Sequence, residues 1–197
     1  MQKITEYLPG QTPLDPDFQK DLIPQHVTLM GELNEYEFEN ISQATKKYLL
    51  GKKKKWNLED PAVLKAIHRD MFDQVWKWTG KYRQSETNIG SPWRQIQIHV
   101  KEACDDLDYW LKNKTFSPHE IAVRFHHRLI WIHPFPNGNG RQGRLVADIL
   151  VRRLGIERLT WGGNSLSANR EARSAYLSAM RKADKGDIGD LLVFAKS

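Results

Sequence analysis

The stretch SPHEIAVRFHHRLIWIHPFPNGNGRQGRLVADILVRRL, residues 117–154, contains two helical patterns separated by one short loop. Ser-Pro-His-Glu at residues 117–120 is typical of a helix N-terminus, with a capping serine, a proline at the first helical position and a glutamate in the first turn. Apolar side chains over 121–132 predict a helix in the core. Two prolines in the loop at 133–140 stop that helix, and 141–154 is predicted to form the next one.

The loop contains the residue types that bind an anion. Gly138, Asn139 and Gly140 readily adopt positive φ, so they can curl successive N–H groups into an anion-binding nest. The N-terminus of the following helix also favours negative charge. Arg141 and Arg144 are three residues apart and lie on one helical face, where two guanidinium groups suit the oxygens of a polyphosphate.

His133 lies at the other end of this loop. An imidazole beside a bound phosphate can accept the proton of an attacking hydroxyl group. Phosphate held by backbone N–H groups and arginines next to a base is typical of phosphoryl or nucleotidyl transfer. A plain helix–loop–helix turn with two surface arginines is the alternative, but it does not explain why His133 and both arginines converge on one loop.

Residues 133–144 resemble the Fic signature, His-x-Phe-x-Asp/Glu-Gly-Asn-Gly-Arg-x-x-Arg, and match seven of its eight specified positions in unbroken register. The resemblance covers most of residues 58–196, including Gly-Lys-Tyr-Arg at 80–83 and the segment 167–194. More narrowly, the whole chain is similar to the small Fic proteins of mobile elements called mobile mystery protein B. The resemblance implies a mainly α fold, a Fic-like helical bundle with a small β-hairpin called the flap.

The resemblance also implies an activity, transfer of AMP from ATP to a Ser, Thr or Tyr hydroxyl of a target protein. His133 would be the general base and Phe135 would anchor the loop in the core. The ATP phosphates would be held by Gly138, Asn139, Gly140, Arg141 and Arg144. A target segment would pair with the flap backbone, although a purely structural hairpin is an equal alternative. The flap residues are Thr87, Asn88, Ile89, Gly90 and Trp93. By analogy, Tyr176 and Asn169 would line the adenine side.

Asn137 is the one mismatch, because the family has Asp or Glu there to hold Mg²⁺. An amide oxygen is a hard ligand but carries no charge, whereas Mg²⁺ usually takes carboxylates and substrate phosphates. We expect weak metal binding by Asn137, with ATP supplying most ligands. Low activity, the use of another metal, and nucleotide binding without transfer are the alternatives.

A second question is autoinhibition by a helix bearing Ser/Thr-x-x-x-Glu-Gly/Asn, whose glutamate pairs with the second motif arginine in many Fic proteins. Residues 28–33 match Thr and Glu but end in leucine, and residues 167–172 match loosely. We favour Glu32 as the inhibitory candidate, because it precedes the first helix. Solvent exposure of both glutamates is the alternative.

Three functions are compatible with these motifs. AMP transfer is the first. Phosphotransfer in the manner of Doc toxins is the second, although those proteins alter the Gly-Asn-Gly-Arg segment, which is intact here. A non-catalytic nucleotide-binding or toxin-regulating module is the third, and only Asn137 supports it. An antitoxin partner is compatible with the family.

Outside the loop, helical spacing predicts five further helices, and alternation at 95–100 predicts a half-buried strand of the flap hairpin. Residues 1–33 are rich in proline and are predicted to form an extended arm that carries the possible inhibitory segment, whereas 34–197 form the Fic domain. The five predicted helices cover 34–50, 61–78, 102–112, 167–182 and 188–195, and Asn34 and Asp60 are the predicted N-caps of the first two.

The composition fits a single soluble domain. The chain has 197 residues, 40% of them hydrophobic, and a net charge of +6, so one well-buried core is expected. The positive charge indicates a weak preference for anionic partners, but nucleic-acid binding is not expected. A single cysteine, the lack of an apolar run at the N-terminus and the absence of a 20-residue apolar stretch predict a cytoplasmic protein outside the membrane.

Overall fold

The computed structural model describes residues 20–52, 55–163 and 170–197. These residues contain seven α-helices, which confirms the mainly α class. A π-helical turn, Lys46–Leu50, extends the first helix, and a 3-10 turn, Trp93–Gln95, precedes the third. The helices are α1 (Met30–Thr45), α2 (Pro61–Phe72), α3 (Ile96–Asn113), α4 (Pro118–Ile132), α5 (Asn139–Leu154), α6 (Arg170–Ala183) and α7 (Gly189–Lys196).

Helices α4 and α5 form the centre of the domain. They pack against each other, and α4 also contacts α3 and α7 while α5 contacts α2. Residues 145–151 of α5 are all buried, so this helix is covered on every side rather than on one stripe. The loop between α4 and α5 is therefore held between two of the best-packed elements of the fold.

Two helix starts follow the local sequence signals. The Asp60 carboxylate accepts the N–H of Ala62 at 2.8 Å and begins α2, and the Ser117 hydroxyl accepts the N–H of Glu120 at 3.4 Å and begins α4. Both predicted caps are confirmed, because a side-chain acceptor at this position satisfies an N–H group that the helix cannot.

The predicted start of the first helix is wrong. Helix α1 begins at Met30, four residues before Asn34, so the last residues of the predicted arm are helical. The carboxylate of Glu32 accepts the N–H groups of Thr28 and Leu29 at 3.4 and 3.3 Å. It thereby supplies the cap that the sequence placed one turn later.

The predicted β-hairpin is also wrong. Residues 80–92 form an irregular loop, and 96–100 are the first turn of α3; no strand ladder is present among these residues. Ile96 and Val100 are fully buried, whereas Ile98 is 60% exposed. Both a strand, with its period of two, and a helix, with its i, i+4 spacing, would bury Ile96 and Val100. The buried face continues at 103, 104 and 107, which fits only the helix.

The described part of the N-terminal segment lies along the connection after α2. Ile23 donates its N–H to the Val75 carbonyl at 2.8 Å, and Lys77 donates to the Asp21 carbonyl at 2.9 Å. Residues 1–19 of the predicted arm lie outside the described residues. In the described ranges, no helix is both long and apolar enough to cross a bilayer.

Candidate active site

The α4–α5 loop reverses the chain through two residues with left-handed backbone. His133 ends α4 with φ of 52°, and Gly138 precedes α5 with φ of 79°. A Cβ atom at Gly138 would lie 2.5 Å from two ring atoms of Phe72, so only glycine fits there. The loop backbone can therefore rest on α2, and the first N–H groups of α5, which have no intrahelical acceptor, lie at the end of the loop.

The side chain of Asn139 fixes the loop from inside. Its amide oxygen accepts the N–H of Phe135 at 2.9 Å, and its amide nitrogen donates to the Phe135 carbonyl at 2.8 Å. Asn139 is only 2% exposed. Its side chain thus closes the turn, which leaves its backbone as the part that can contact an anion.

Phe135 anchors the loop through a buried histidine of α2. Its ring stacks on the ring of His68, with centroids 3.8 Å apart and planes within 15°. His68 Nε2 lies 3.0 Å from the Asn137 carbonyl oxygen, and its Nδ1 accepts the N–H of Gly80 at 3.1 Å. Because Nδ1 is an acceptor, His68 is the neutral tautomer with its proton on Nε2. Burial lowers its pKa to about 3, in agreement with this state.

The backbone of His133 is fixed by hydrogen bonds to Leu129 and Arg83, whereas its imidazole ring has no regular hydrogen-bond partner. His133 is 6% exposed, and neither ring nitrogen forms a hydrogen bond of normal geometry. Burial, reinforced by the nearby charge of Arg83, lowers its pKa to about 4. The imidazole is therefore neutral near pH 7 and has a lone pair available to accept a proton. An anion bound beside it would raise this pKa toward neutrality.

The loop that was predicted as the flap lies against His133. A Cβ atom at Gly90, whose φ is +104°, would lie 2.6 Å from the Cβ of His133. Thr87 donates its hydroxyl to the Ile89 carbonyl at 2.6 Å, and the Ile89 side chain is half exposed. Trp93 is partly buried, with the Arg94 guanidinium 4.3 Å from its ring centroid. Asn88 is exposed in the turn. The flap is thus adjacent to the candidate base, as a loop and not as a hairpin.

Arg144 also lies next to the loop. Its Nη1 is 3.8 Å from the position of a Cβ on Gly140, and its guanidinium interacts electrostatically with the hydroxyl of Tyr176. Tyr176 in turn lies 2.9 Å from Nε2 of His126. Burial is the main cause that lowers the pKa of Arg144 and raises that of Tyr176 to about 12. Asn169, the other predicted adenine-side residue, lies outside the described residues.

Arg141 makes different contacts from Arg144. Its guanidinium lies 4.9 Å from the ring centroid of Phe72, the ring on which Gly138 rests. Its Nη1 contacts Oε2 of Glu37 in α1 at 2.5 Å. Glu37 is 3% exposed and also accepts the indole N–H of Trp76 at 2.8 Å. A carboxylate therefore already neutralises the first of the two motif arginines.

Asn137 is turned toward its own backbone. Its side-chain oxygen accepts the N–H of Gly138 at 2.7 Å, and its carbonyl faces His68. A second lone pair of the amide oxygen is left for a metal ion. In the part of the chain that the structure describes, no cluster of three or more His, Cys, Asp or Glu side chains could hold a metal. The residues fit a Mg²⁺ ion only if substrate phosphates supply most of the ligands.

The predicted inhibitory glutamate, Glu32, caps α1 through Thr28 and Leu29. The acidic residue that contacts a motif arginine is Glu37, and the arginine is Arg141. Of the second matching pattern, residues 167–169 lie outside the described residues.

Three residues near the loop have no counterpart in the sequence-based site, namely His68, Arg83 and Glu37. His68 and Glu37 could have been found in the sequence, because each is a polar residue on an otherwise apolar helix face. A polar group buried on such a face needs hydrogen-bond or ion-pair partners, which marks it as a candidate for a specific contact. Arg83 had no such signal, because its partners are backbone carbonyls.

The fold and the site together define a helical domain built around a Gly-Asn-Gly-Arg loop between two central helices. Residues 58–151 match the sequence model of the Fic/DOC family. The chain thus carries a Fic/DOC family domain, which contains the loop, Arg83 and the predicted flap.

Relatives and solved structures agree with this assignment. Protein adenylyltransferase Fic of Aedes aegypti is 29% identical over 139 residues, which cover 65% of this chain and 25% of that protein. A probable protein adenylyltransferase of Aquifex aeolicus is 28% identical over 142 residues, covering 69% and 42% of the two chains. The chain thus spans a quarter to less than half of these two relatives.

Two solved structures share the fold at low identity. Fic-1 of C. elegans superposes with a TM-score of 0.68 at 22% identity, covering 88% of this chain and 52% of that one. BepC of Bartonella tribocorum, solved with bound AMPPNP, has a TM-score of 0.66 at 19% identity and coverage of 92% and 97%.

Proposed function

We propose that this protein is an adenylyltransferase that moves AMP from ATP to a hydroxyl side chain of a target protein. The observation that carries the proposal is the placement of His133 at one end of the α4–α5 loop and of Gly140 and Arg144 in the first turns of α5, at its other end. The ring of His133 is neutral and has no hydrogen bond of normal geometry, and the Arg144 guanidinium adjoins Gly140 in the first turn of α5. The names of the two relatives, which are adenylyltransferases, support the same activity.

In this reaction, the N–H groups at the start of α5 and the Arg144 guanidinium hold the phosphates of ATP. His133 accepts the proton of the incoming hydroxyl group. The hydroxyl oxygen forms a bond to the α-phosphorus, the bond from that phosphorus to the bridging oxygen breaks, and pyrophosphate leaves. Arg141 contributes to phosphate binding once its contact with Glu37 is loosened.

Magnesium is the metal that we propose for this site, with Asn137 as the residue that would contact it. A bound Mg²⁺ ion neutralises phosphate charge in reactions of this class. Because Asn137 is uncharged and already bonds Gly138, this chain contributes little to metal affinity. Binding of nucleotide without transfer is therefore the second candidate function.

Labelled ATP distinguishes the candidate functions. The purified protein is incubated with α-labelled or γ-labelled ATP, Mg²⁺ and a protein extract, with His133→Ala as the control. Protein label from the α position alone supports AMP transfer. Label from the γ position alone indicates phosphotransfer of the Doc type, and ATP binding without protein label indicates a nucleotide-binding module.

Further features belong to the same proposal. The flap at residues 87–93 lies beside His133 and would dock the target segment there. Glu32 remains the sequence-based candidate for autoinhibition, and it would have to leave the N–H groups of Thr28 and Leu29 to reach Arg144. An antitoxin partner, a cytoplasmic location and kinship with the mobile-element Fic proteins also stay predictions.

A further inference from the structure

Arg83 is a buried cation without a buried counter-ion among the described residues. It is 2% exposed, and the nearest carboxylate is that of Glu86, 3.8 Å away on a side chain that is 64% exposed. Burying a charge is costly unless hydrogen bonds replace its water shell. The hydrogen bonds of the Arg83 guanidinium must therefore compensate for the cost of burying its charge.

The guanidinium group of Arg83 donates only to backbone carbonyls, and these belong to two different segments. Toward α4, Nε donates to the His133 carbonyl at 2.7 Å and Nη2 to the Ile132 carbonyl at 3.4 Å. Toward the flap, Nη1 donates to the Ser85 carbonyl at 2.9 Å and Nη2 to the Ser91 carbonyl. One rigid, planar side chain thus joins the candidate base to both sides of the flap.

Backbone contacts follow the same path. Arg83 donates its N–H to the Pro134 carbonyl at 2.9 Å, and Ser91 donates to the Ile132 carbonyl at 3.2 Å. Gly90 lies against the Cβ of His133, where a side chain would collide. The segment 83–91, which includes most of the flap, therefore contacts the chain on both sides of His133 and has little room to move separately from it.

We propose that Arg83 is a positioning residue that holds the flap and His133 as one rigid unit, so that a hydroxyl on a flap-bound target segment arrives at the imidazole in a fixed position. This inference rests on the proposed function, because it assigns a purpose to the flap. Fixed placement of reacting groups is a large part of catalysis, and displacement by about 1 Å can cost on the order of 100-fold in rate.

A lysine at this position would keep the positive charge but not the planar fork of donors. If Arg83 acts by geometry, Arg83→Lys and Arg83→Met should both lose activity, although only Met removes the charge. We expect kcat to fall on the order of 100-fold in both variants, with the KM for ATP little changed. Arg181→Lys and Arg181→Met are the matched controls, because Arg181 is an exposed arginine of α6 outside the candidate site, and both should keep the wild-type kcat.

The wild-type protein supplies a test that does not need activity. Hydrogen exchange measured by NMR should give one common protection level for the backbone N–H groups of Arg83, Ser91 and His133. Fast exchange at Ser91 with slow exchange at His133 means that the flap opens alone and overturns the inference, whether or not the variants fold. Wild-type kcat retained in Arg83→Lys also overturns it. A wild-type protein that transfers no label refutes the proposed function instead.

Discussion

Glu37 of α1 forms an ion pair with Arg141, at the start of α5, with 2.5 Å between Oε2 and Nη1. We predict that Glu37→Gln tightens ATP binding, because the carboxylate competes with phosphate for Arg141 and repels it. An amide at this position can still accept the indole N–H of Trp76. The expected gain is about 0.2–1 kcal/mol, the scale of a partly exposed ion pair. Calorimetric titration with ATP provides the measurement.

The exposed residue Glu39 on the same helix gives a matched control, and Glu39→Gln should leave ATP affinity unchanged. Glu32→Gly tests the sequence-based alternative, in which Glu32 blocks Arg144. If Glu32 inhibits, this variant should show more auto-modification than the wild type. Equal auto-modification in the two proteins rules out that role, and weaker ATP binding by Glu37→Gln would mean that Glu37 orients Arg141 rather than competing for it.

His133→Ala should lower transfer by about 10²- to 10⁴-fold, the usual contribution of a general base. Since both ring nitrogens are without regular hydrogen bonds, the fold should lose little stability. Radiolabel incorporation and thermal melting are measured together. His119→Ala, which changes a histidine at the far end of α4, is the control and should retain full activity. Transfer by His133→Ala at the wild-type rate would remove His133 from the mechanism.

The conformation of the loop was accessible from the sequence because it is local. Its glycines and prolines shape the backbone within a few residues, and the caps at Asp60 and Ser117 do the same. The contacts of Arg83 with Ile132 and of Glu37 with Arg141 join residues far apart in sequence. These contacts depend on how the helices pack, so no local sequence pattern predicts them.

The flap illustrates a different limit. In a strand, the alternation over 95–100 would place Ile96, Ile98 and Val100 on one buried face. The helix instead buries Ile96 and Val100, leaves Ile98 60% exposed and continues its buried face to 103, 104 and 107. The predicted strand rested on this alternation, and the resemblance to a family with a hairpin agreed with it. The packing of Ile96 and Val100 in the core selected the helix.

Asn137→Asp should increase metal-dependent transfer. A carboxylate adds a negative, hard oxygen ligand at the position where the amide contributes only a neutral one. We expect the Mg²⁺ concentration for half-maximal activity to fall on the order of tenfold, similar to other single-residue effects around metal sites. Asn137→Ala is the control and should need more Mg²⁺ than the wild type. Transfer that is unchanged or lower in Asn137→Asp contradicts the role of Asn137 as a metal ligand.

His68→Phe should weaken the loop while the aromatic stack on Phe135 is retained. The Asn137 carbonyl and the Gly80 N–H would lose their partner, at a cost of about 1–3 kcal/mol for each buried group. Urea unfolding should reveal this loss, and transfer should fall because the loop is displaced. In His68→Gln, an amide can donate to Asn137 again, so activity should partly return. Wild-type activity in His68→Phe would mean that the loop holds its shape without His68.

The stability of the protein should fall as the pH drops below about 6.5, the ordinary pKa of histidine. Burial lowers the pKa of His68 and His126 to about 3 and that of His133 to about 4. Between these values and 6.5 the unfolded chain binds more protons than the folded one, so acid favours unfolding. Each fully titrating histidine contributes at most about 1.4 kcal/mol per pH unit.

Asp148 acts in the opposite direction, because burial raises its pKa to about 6. From about pH 6 down to its ordinary value near 4, the folded protein gains a proton there that the unfolded chain does not. Below pH 6, Asp148 therefore offsets the effect of about one of the three histidines on the free energy of unfolding. The net effect of acid on that free energy is still destabilising. Urea unfolding at pH 7, 6 and 5 measures this slope. It should be shallower in His68→Gln, and stability that is constant from pH 7 to 5 would mean that these histidines are protonated in the folded protein.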